Sequence, residues 1–532
     1  MVSTFAAALL AAMGLTGPAA APAAKPAGST FFVSGHGWGH GVGMPQYGAY
    51  GYALHGWDSA AILAHYFPGT DLGAAPLKRV RVLLVAGSKK VVVSSRSAYT
   101  VRDGSGKTHK LAAGEQRLGP ALKLKLAASA KALPGPLVFS PGTSALTVNG
   151  HAYRGSLRVT GGKAVRVVNV VGLEQYLWGV VAREMPDRWP AEALKAQAVV
   201  ARSYALSHLT GGGDFDLYPD TRSQVYGGVA AESPPARAAV DGTAGQVVLY
   251  RGEVADTFFF SSSGGRTANV QDVWPGSRSL PYLVSVPDPY DTLSPYHDWG
   301  PMRFSAARLG KRLHARGTLL DVKADTAPSG RVRSLTLVGS KGSRTISGST
   351  ARAALGLRST WFSIGTLSLT PPSKPLEYGG ETRLVGVARG IARVTLESRP
   401  YGGEWKRLAS LTSRNGQVVA TLSPKVTTDY RLSSGIARSQ VVRLSVAPSV
   451  RLTASADRTA VTGLVKPVLP GAPVHVQRLS GGTWKTVSTA NVTADGAFEA
   501  GVNLTPGSYR ARVVAGKGYA PGISPVLTVV AA

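Results

Sequence analysis

The sequence predicts an α+β fold that is mostly β, with a few buried helices in its core and two tandem β-sandwich modules after it. Three features support this prediction. Glycine (64 residues) and proline (34 residues) separate many short β-rich runs, helical periodicity is confined to one central stretch, and a repeat recurs near the C-terminus. The chain has 532 residues, 44% of them hydrophobic, so it can form several domains with separate cores.

Residues 1–24 resemble a secretory signal peptide. A short apolar run at residues 5–15 is followed by small residues, with cleavage expected after Ala21 or Ala24. No Lys or Arg precedes the run, and it is shorter than the ~20 apolar residues of a membrane-spanning helix. We therefore expect a secreted or cell-wall protein with no stable membrane span after signal cleavage.

Residues 29–72 form a segment rich in Gly, His and aromatic residues that ends in a short helix. Asp58 or Ser59 is expected to cap this helix, residues 60–67 form its body, and Pro68 ends it. We expect the segment to dock on the domain that follows it, residues 77–365, because the ends of a folded chain often lie close together.

The domain at residues 77–365 begins with strands and then changes to helices. Short β-rich runs separated by turn residues predict strands at 80–85, 90–93, 157–159 and 165–168. Residues 172–208 show helical periodicity, and residues 223–365 return to a mixed pattern with several strands.

The first helical stretch carries a carboxyl group on its apolar face. Three apolar residues share that face: Leu173, Leu177 and Val180. Glu184 continues the stripe, and Pro186 disfavours a longer helix. Partial burial and the negative end of the helix dipole would both raise the pKa of this carboxyl, which suits a general acid for glycosidic bonds. The alternative is an outward carboxylate paired with Arg183 or Arg188.

The second helical stretch, residues 190–205, has small residues on nearly every side and is expected to be buried all round. Its polar residues fall into two pairs. Lys195 and Arg202 share one face, and Gln197 and Tyr204 share another. These groups either line a sugar-binding cleft or, for Lys195 and Arg202, extend to solvent.

Residues 371–446 and 447–532 are predicted to be two copies of one immunoglobulin-like β-sandwich module, with a linker at residues 370–375. Two aromatic pairs recur at an offset of 79 positions: Trp405 with Trp484, and Tyr430 with Tyr509. Each module is therefore expected to have a core Trp and a later Tyr.

The chain is strongly basic, with a formal net charge of +30. Residues 371–532 contain 20 Lys and Arg against 8 Asp and Glu, spread along expected strands and not gathered in one arm. No recognition-helix or RNA-stacking motif accompanies this charge. No nucleic-acid partner is therefore predicted, and anionic wall polymers are the candidate partners.

Several motifs together resemble the SpoIID/LytB family, the sporulation stage II protein D and amidase-enhancer proteins. Glu184-Met185-Pro186 is the first motif, and the others follow it in order at residues 193–198, 201–205, 223–228, 239–245, 260–267 and 281–286. The resemblance covers roughly residues 77–365 and implies a SpoIID-like core. The combination is far more specific than any one motif.

The resemblance implies a peptidoglycan lytic transglycosylase that cleaves MurNAc–GlcNAc bonds with one Glu as acid and base and leaves 1,6-anhydro-MurNAc ends. The family's catalytic Glu corresponds to Glu184. Matching motif positions are proposed to bind the glycan strand: Gln197, Arg202, Gln224, Tyr226, Ser262, Ser263 and Gly264. The Gly264-Gly265 turn would either present backbone N–H groups to a sugar or form an ordinary hairpin turn.

Residues 35–49 also match a family motif, but here they precede the core, whereas the usual arrangement places them after the Ser-Ser-x-Gly-Gly region. The chain therefore resembles a circular permutant, and the motif is expected to dock beside Glu184. His36, His40 and Gln46 become further substrate-binding candidates. Two histidines without any cysteine make a weak metal site, so no metal and no cofactor are predicted.

Two other functions remain open at this point. One is a non-enzymatic amidase enhancer that binds peptidoglycan or a cell-wall amidase. The other is a glycoside hydrolase, which needs a second carboxylate. Four aspartates are candidates for that carboxylate: Asp187, Asp214, Asp216 and Asp220.

Overall fold

The computed structural model describes residues 29–74, 79–126, 129–391, 393–435, 437–516 and 518–531. The predicted signal peptide, residues 1–24, lies outside the described residues. Strands predominate and helices are few, as the sequence predicts. In the described part of the chain, no helix is both long enough and apolar enough to cross a membrane.

The N-terminal segment contributes short strands and two helices: β1 (Thr30–His36), β2 (Met44–Pro45), α1 (Gln46–Leu54), α2 (Ser59–Tyr66) and β3 (Asp71–Ala74). Helix α2 begins where the sequence predicts. The Asp58 side chain caps it by accepting a hydrogen bond from the Ala61 N–H at 2.7 Å.

A β-sandwich follows the N-terminal segment. Its strands are β4 (Arg79–Ser88), β5 (Val91–Ser95), β6 (Tyr99–Arg102), β7 (Thr108–Leu111), β8 (Gly114–Leu118), β9 (Lys123–Leu126), β10 (Ser129–Ala132), β11 (Leu137–Ser140), β12 (Leu146–Val148), β13 (His151–Tyr153), β14 (Ser156–Thr160) and β15 (Val165–Gly172). One sheet has the order β4-β15-β14-β11-β6-β7 and the other β13-β12-β5-β8. Alternate residues of these strands fill a common core. The predicted strands of this region are confirmed.

Helices and short strands form the next layer: α3 (Leu173–Glu184), α4 (Ala191–Ser207), α5 (Pro234–Gly242), β16 (Gln246–Tyr250), β17 (Glu253–Val254), β18 (Phe259–Phe260) and α6 (Val270–Val273). Helix α4 is buried on nearly every side, as predicted, because its small residues let α1, α2, α3 and α5 pack closely around it. The largest hydrophobic core of the chain is built around it.

The last part of the core returns to strands: β19 (Asp298–Ser305), α7 (Ala306–Leu313), β20 (Leu319–Thr326), β21 (Val332–Gly339), β22 (Gly342–Ser347), α8 (Gly348–Leu355) and β23 (Phe362–Leu369). Strand β1 lies between β19 and β23 and pairs with both in antiparallel register. Phe31, Phe32 and Val33 are all buried there, at most 5% exposed. The N-terminal segment is therefore a central strand of this sheet and not an appendage.

The first C-terminal module contains β24 (Leu376–Glu377), β25 (Thr382–Arg389), β26 (Arg393–Pro400), β27 (Lys406–Thr412), β28 (Gln417–Leu422), β29 (Thr428–Ser434), β30 (Ala437–Arg438), β31 (Val442–Leu444) and β32 (Val446–Ala447). Strand β25 pairs with β23, so one sheet, β19-β1-β23-β25-β28, runs from the core into the module. Phe32, Leu367 and Leu369 pack into the module's own hydrophobic core. The linker expected at residues 370–375 therefore does not separate two independent bodies.

The second module repeats the arrangement with β33 (Ser449–Ala454), β34 (Ala460–Lys466), β35 (Pro473–Ser480), β36 (Thr483–Asn491), β37 (Ala497–Gly501), β38 (Gly507–Val513), β39 (Gly522–Ile523) and β40 (Leu527–Val529). Tyr430 and Tyr509 are buried in the two cores, 3% and 1% exposed. The prediction of a core Trp in each module is wrong. Trp405 and Trp484 are only half-buried. Each ring packs against an arginine guanidinium, Arg431 over Trp405 at 4.0 Å and Arg510 over Trp484 at 4.2 Å.

Candidate active site

The C-terminal end of α3 holds one carboxyl group in a partly enclosed position. The apolar face of the helix packs into the core, and Glu184 is half-buried at its last turn. Its Oε1 accepts a hydrogen bond from the Val225 backbone N–H at 2.9 Å. Within the described ranges it forms no ion pair, and Arg183 acts on it only as a more distant charge. The alternative of a carboxylate paired with Arg183 or Arg188 is therefore not what the structure shows.

Burial raises the pKa of the Glu184 carboxyl above its ordinary value. Hydrogen bonds from the Val225 N–H and the Gln46 side chain, together with the charge of Arg183, oppose this shift in part. A carboxyl with a raised pKa holds its proton closer to neutral pH, as a general acid must.

The N-terminal segment supplies one of the groups that contact this carboxyl. Gln46, the first residue of α1, is 8% exposed, and its side chain acts on Glu184 to lower the pKa of that carboxyl. Two pairings hold the segment in place. Strand β2 runs parallel to β18, and Trp38 and Ser262 exchange backbone hydrogen bonds of 2.8 and 3.0 Å. Gln46 of the motif at residues 35–49 thus acts on Glu184, although 138 positions separate the two residues in sequence.

Three aromatic side chains pack together, two of them close to Gln46 in sequence and the third five positions after Glu184. We call this group the aromatic wall: Tyr47, Tyr50 and Trp189. Tyr50 stacks on Trp189 with ring centroids 4.6 Å apart, and Tyr47 meets the same ring edge-on at 4.9 Å. All three are half-buried, so part of each ring faces solvent. Flat apolar faces beside a few polar groups are suited to a sugar ring.

A second carboxyl group lies in the same neighbourhood. Burial raises the pKa of Tyr204 to about 12, and both Asp256 and Glu184 contribute through their charges. Asp256 is itself raised in pKa by burial, and its Oδ1 lies 3.7 Å from Nδ1 of His208. The Tyr204 ring stacks on His208 at 3.9 Å. These three side chains extend the polar surroundings of the glutamate.

Arg202 does not line a cleft, contrary to the sequence prediction. Its side chain is fully buried and forms a two-pronged ion pair with Glu174, at 3.0 and 2.6 Å. Its remaining donors reach the carbonyl oxygens of Gln246 at 2.9 Å and Val240 at 3.3 Å. A buried guanidinium must be fully paired, and here the pairing ties α4 to α3, α5 and β16.

Gln224, Tyr226 and Gln197 are also internal, which corrects their assignment as cleft-lining residues. Gln224 is fully buried between the Tyr176 hydroxyl, at 3.0 Å, and the Ala201 carbonyl, at 3.1 Å. Tyr226 donates its hydroxyl to Asn169 at 3.0 Å. Gln197 is fully buried within α4, and neither atom of its amide has a hydrogen-bond partner among the described residues.

The turn at Ser262, Ser263 and Gly264 faces inward, which corrects the prediction that its N–H groups meet a sugar. The fully buried Asp291 carboxylate accepts the Ser262 hydroxyl at 2.8 Å and the N–H groups of Ser263 and Gly264 at 2.9 and 2.8 Å. The turn therefore wraps around an aspartate that the sequence did not single out. It acts on the site indirectly, by holding the chain that pairs with Trp38.

The two histidines have different environments. Val42 N–H donates to His40 Nδ1 at 3.1 Å, and His40 Nε2 lies 2.9 Å from the Phe259 carbonyl, so both nitrogens are used. Burial lowers the pKa of His40 to about 4, which keeps the ring neutral and structural. His36 lies at the surface, 2.6 Å from Asp298. In the described ranges, no group of three or more His, Asp or Glu side chains is arranged to hold a metal ion.

The aspartates considered for a hydrolase are engaged elsewhere or exposed. Asp216 is held by Arg81 through two side-chain hydrogen bonds of 3.0 and 2.6 Å. Asp214 pairs with Arg166, and Asp220 pairs with Arg222. Asp187 is exposed. Three of the four candidates are thus already ion-paired.

Several site residues escaped the sequence analysis. Tyr47 lies within the motif at residues 35–49, and Trp189 lies just after the Glu184-Met185-Pro186 motif. Their closeness in sequence to Gln46 and Glu184 could have indicated that they belong to the site. Asp256, Asp288 and Asp291 carry no such signal, because isolated aspartates in loop sequence most often cap turns. Their burial becomes visible only in three dimensions.

Comparison with known proteins links this geometry to one family. Residues 161–250 match the family model described as SpoIID, Stage II sporulation protein. The chain is 32% identical over 228 residues to Stage II sporulation protein D of Bacillus amyloliquefaciens, a match that covers 38% of this chain and 64% of the relative. It is 42% identical over 116 residues to the amidase enhancer of Bacillus subtilis (strain 168), covering 22% and 15%.

A further relative is an uncharacterized protein of Brachyspira hyodysenteriae (strain ATCC 49526 / WA1), 38% identical over 144 residues, or 26% of this chain and 39% of that protein. The chain thus spans less than two thirds of the length of these relatives. Among solved structures, a two-domain fibronectin type III segment of chicken tenascin aligns at 15% identity, covering 31% of this chain and 97% of the segment, with a TM-score of 0.20. That score supports no argument about fold. The description of the modules as β-sandwiches therefore depends on their own strand pairing.

Proposed function

Because the chain carries a domain of the SpoIID/LytB family, we propose that it is a peptidoglycan lytic transglycosylase with Glu184 as its single acid and base. The observation that supports this proposal best is the Glu184 carboxyl itself. It is partly enclosed, raised in pKa by burial, and hydrogen-bonded without being ion-paired among the described residues. A structural carboxylate in the same position would be expected to have a cationic partner.

The proposed reaction uses the carboxyl twice. Glu184 gives its proton to the glycosidic oxygen as the MurNAc–GlcNAc bond breaks. The resulting carboxylate then accepts the proton of the MurNAc 6-hydroxyl while that oxygen attacks C1 and closes a 1,6-anhydro ring. The proton returns to Glu184, and no water is consumed. One carboxyl therefore serves both steps, unlike the paired carboxylates of hydrolases.

The neighbouring groups have separate proposed roles. Gln46 and the Val225 N–H orient the carboxyl and stabilise its charged form after proton transfer. The aromatic wall packs against a sugar face. Arg202, Gln224 and Tyr226 act beneath the surface by fixing the helices that carry Glu184. The proposed location is extracytoplasmic, where peptidoglycan strands are accessible.

A second candidate function is a non-enzymatic enhancer that binds the wall or an amidase. The relative named amidase enhancer favours it. A third candidate, hydrolysis, would need another carboxylate, and Asp256 is the carboxyl that shares the neighbourhood of Glu184.

One assay separates these functions. Purified protein is incubated with glycan strands, both intact and stripped of stem peptides, and the products are analysed by mass spectrometry. Anhydro-MurNAc ends support the proposal, new reducing ends support hydrolysis, and intact strands that remain bound support the enhancer.

The first prediction concerns Glu184 directly. Glu184→Gln should abolish cleavage, with a loss of at least about 10³-fold, because the amide cannot donate the proton. Glu253→Gln is the matched control, since it makes the same change at an exposed position in β17. Full activity of Glu184→Gln would contradict the assignment, and equal loss in both variants would point to an effect on folding.

A further inference from the structure

The two C-terminal modules line an open cavity at their junction. Backbone hydrogen bonds tie the modules together, from the Thr427 N–H to the Gly518 carbonyl at 2.9 Å and from the Ala520 N–H to the Val446 carbonyl at 2.8 Å. The space between them has a volume of about 580 Å³. We call this space the junction pocket. Its size matches that of a small-ligand site.

Two arginines in the junction pocket are fixed by one buried aspartate. Asp429 on β29, 6% exposed, accepts a hydrogen bond from Arg399 Nη2 at 2.9 Å and two from Arg443, from Nε at 2.8 Å and Nη2 at 3.2 Å. Hydrogen bonding to Arg443 first, and to Arg399 as well, lowers the pKa of Asp429. The aspartate is therefore ionised near neutral pH and neutralises only one of the two cations.

Both arginines have hydrogen-bond donors that are not used within the described residues. Three of their nitrogens, Nε and Nη1 of Arg399 and Nη1 of Arg443, form no hydrogen bond with any residue that the structure describes. Their side chains are 42% and 67% exposed, so these donors can meet a ligand. A pre-positioned guanidinium loses less rotational freedom on binding than a free one.

Two tyrosines complete the rim of the pocket. Tyr401 is 65% exposed, although a large apolar ring gains by burial. Its ring lies against Gly518, where an added Cβ would be 2.9 Å from the ring. Tyr519 lies in the same pocket and is raised in pKa by burial. The pocket thus pairs a net positive charge with an aromatic surface.

We propose that the junction pocket binds an anionic wall polymer at a phosphodiester group, with Arg399 and Arg443 on the phosphate and Tyr401 against the adjoining polyol or sugar. The two guanidinium groups come from different strands, β26 and β31, and both bond the Asp429 carboxylate. Tetrahedral phosphate oxygens accept donors from two directions, whereas one planar fork satisfies a carboxylate. The strong positive charge of residues 371–532 favours the same class of polymer.

The test uses the full chain and measures binding by titration calorimetry. The probes are a glycerol phosphate oligomer, inorganic phosphate, and peptidoglycan freed of phosphate polymers. We expect the oligomer to bind, and we expect Arg443→Gln and Tyr401→Ala each to weaken it by about tenfold. Arg407→Gln, an exposed position on β27 with the same charge change, should weaken it less than about twofold.

Each outcome decides the proposal. Equal weakening by Arg443→Gln and Arg407→Gln would show attraction to net charge alone and would overturn it, as would absence of oligomer binding or tighter binding to phosphate-free peptidoglycan. Tyr401→Ala guards against misfolding, because that side chain is 65% exposed and its loss leaves Asp429 paired. Cleavage of soluble glycan strands should be unchanged in all three variants, so a failure here is distinct from a failure of the proposed catalytic function.

Discussion

At the scale of residues, two carboxyl groups, one half-buried and one buried, have environments that favour the protonated form for different reasons. Glu184 is desolvated but keeps hydrogen-bond donors that support its charged form. Asp288 is desolvated and also repelled by Asp291, and its Oδ2 has no hydrogen-bond partner among the described residues. The environment of Glu184 suits a carboxyl that alternates between its protonated and ionised forms. The environment of Asp288 makes the free energy of unfolding depend on pH.

Gln46 should tune the acidity of Glu184. Gln46→Ala removes a group that stabilises the carboxylate, so the pKa of Glu184 should rise further above its ordinary value. A general acid loses its proton as pH rises through its pKa. The alkaline limb of the pH–rate profile should therefore move to higher pH. Gln46→Glu adds a like charge and should move it further. A limb that stays in place in both variants would rule out this role.

Asp288 should make stability depend on pH. Burial and the charge of Asp291 raise its pKa from 3.8 to about 7, so the folded state binds this proton more tightly than the unfolded chain does. Its contribution to the free energy of unfolding is therefore complete below pH 4 and is lost as pH rises through 7.

Asp288→Asn should remove this dependence and raise the free energy of unfolding at pH 8 by at most about 4 kcal/mol, the equivalent of roughly three pKa units. Urea unfolding of both proteins at pH 5 and pH 8 measures the difference. The Tyr66 hydroxyl, 2.9 Å from Oδ1 of Asp288, can still donate to the amide oxygen. The same gain at both pH values would show that the carboxyl does not titrate in this range.

At the scale of elements, one inward-facing turn connects the N-terminal segment to the core. The residues around Gly264 bind Asp291 on one side and lie against His36 and Gly37 on the other. Gly264 has φ of +76°, which favours glycine. The turn thus fixes both the register of the N-terminal segment and, through it, the position of Gln46.

Gly264→Ala should therefore lower the free energy of unfolding by more than backbone strain alone would. A Cβ at this position would lie 2.5 Å from the His36 Cβ. Gly245 has the same φ of +76° but nothing within 4 Å of its Cβ, so Gly245→Ala isolates the strain, about 1–2 kcal/mol. We expect Gly264→Ala to cost about 1–3 kcal/mol more and to reduce cleavage. Thermal unfolding compares the two, and equal losses would refute the close packing.

At the scale of the whole molecule, the core and the first module share a sheet and a hydrophobic core. Strand β23 ends the domain that carries Glu184 and pairs with β25 of the module. Phe32, Leu367 and Leu369 are buried in the hydrophobic core of the module. The module therefore stabilises the domain that holds the proposed active site, besides any binding role.

A chain ending at residue 370 should be markedly less stable than one ending at residue 448. The shorter chain exposes three buried apolar side chains, which costs roughly 5–9 kcal/mol at about 1.5–3 kcal/mol each. The longer chain keeps the first module and loses only the second. Denaturant unfolding, monitored by tryptophan fluorescence, compares both truncated chains with the full chain. Equal stability of the two truncated chains would indicate a free linker at residues 370–375.

Much of the local structure could be predicted from the sequence because periodicity and caps are local properties. Helix α3, its apolar face, the position of Glu184 at its end, the Asp58 cap and the 79-residue repeat all followed from spacing alone. What a polar side chain contacts is not local. Arg202 has the same periodicity whether it faces solvent or Glu174, and only the structure distinguishes them.

The sequence by itself therefore determined which elements form and where a lone acid stands on them. The tertiary structure decided the neighbours of that acid. Gln46 meets Glu184 because β1 is inserted between β19 and β23, and such long-range pairing depends on the shapes and apolar faces of elements far apart in the chain. The burial of the supposed cleft residues has the same origin, because a polar group is internal only when distant elements supply its hydrogen-bond partners.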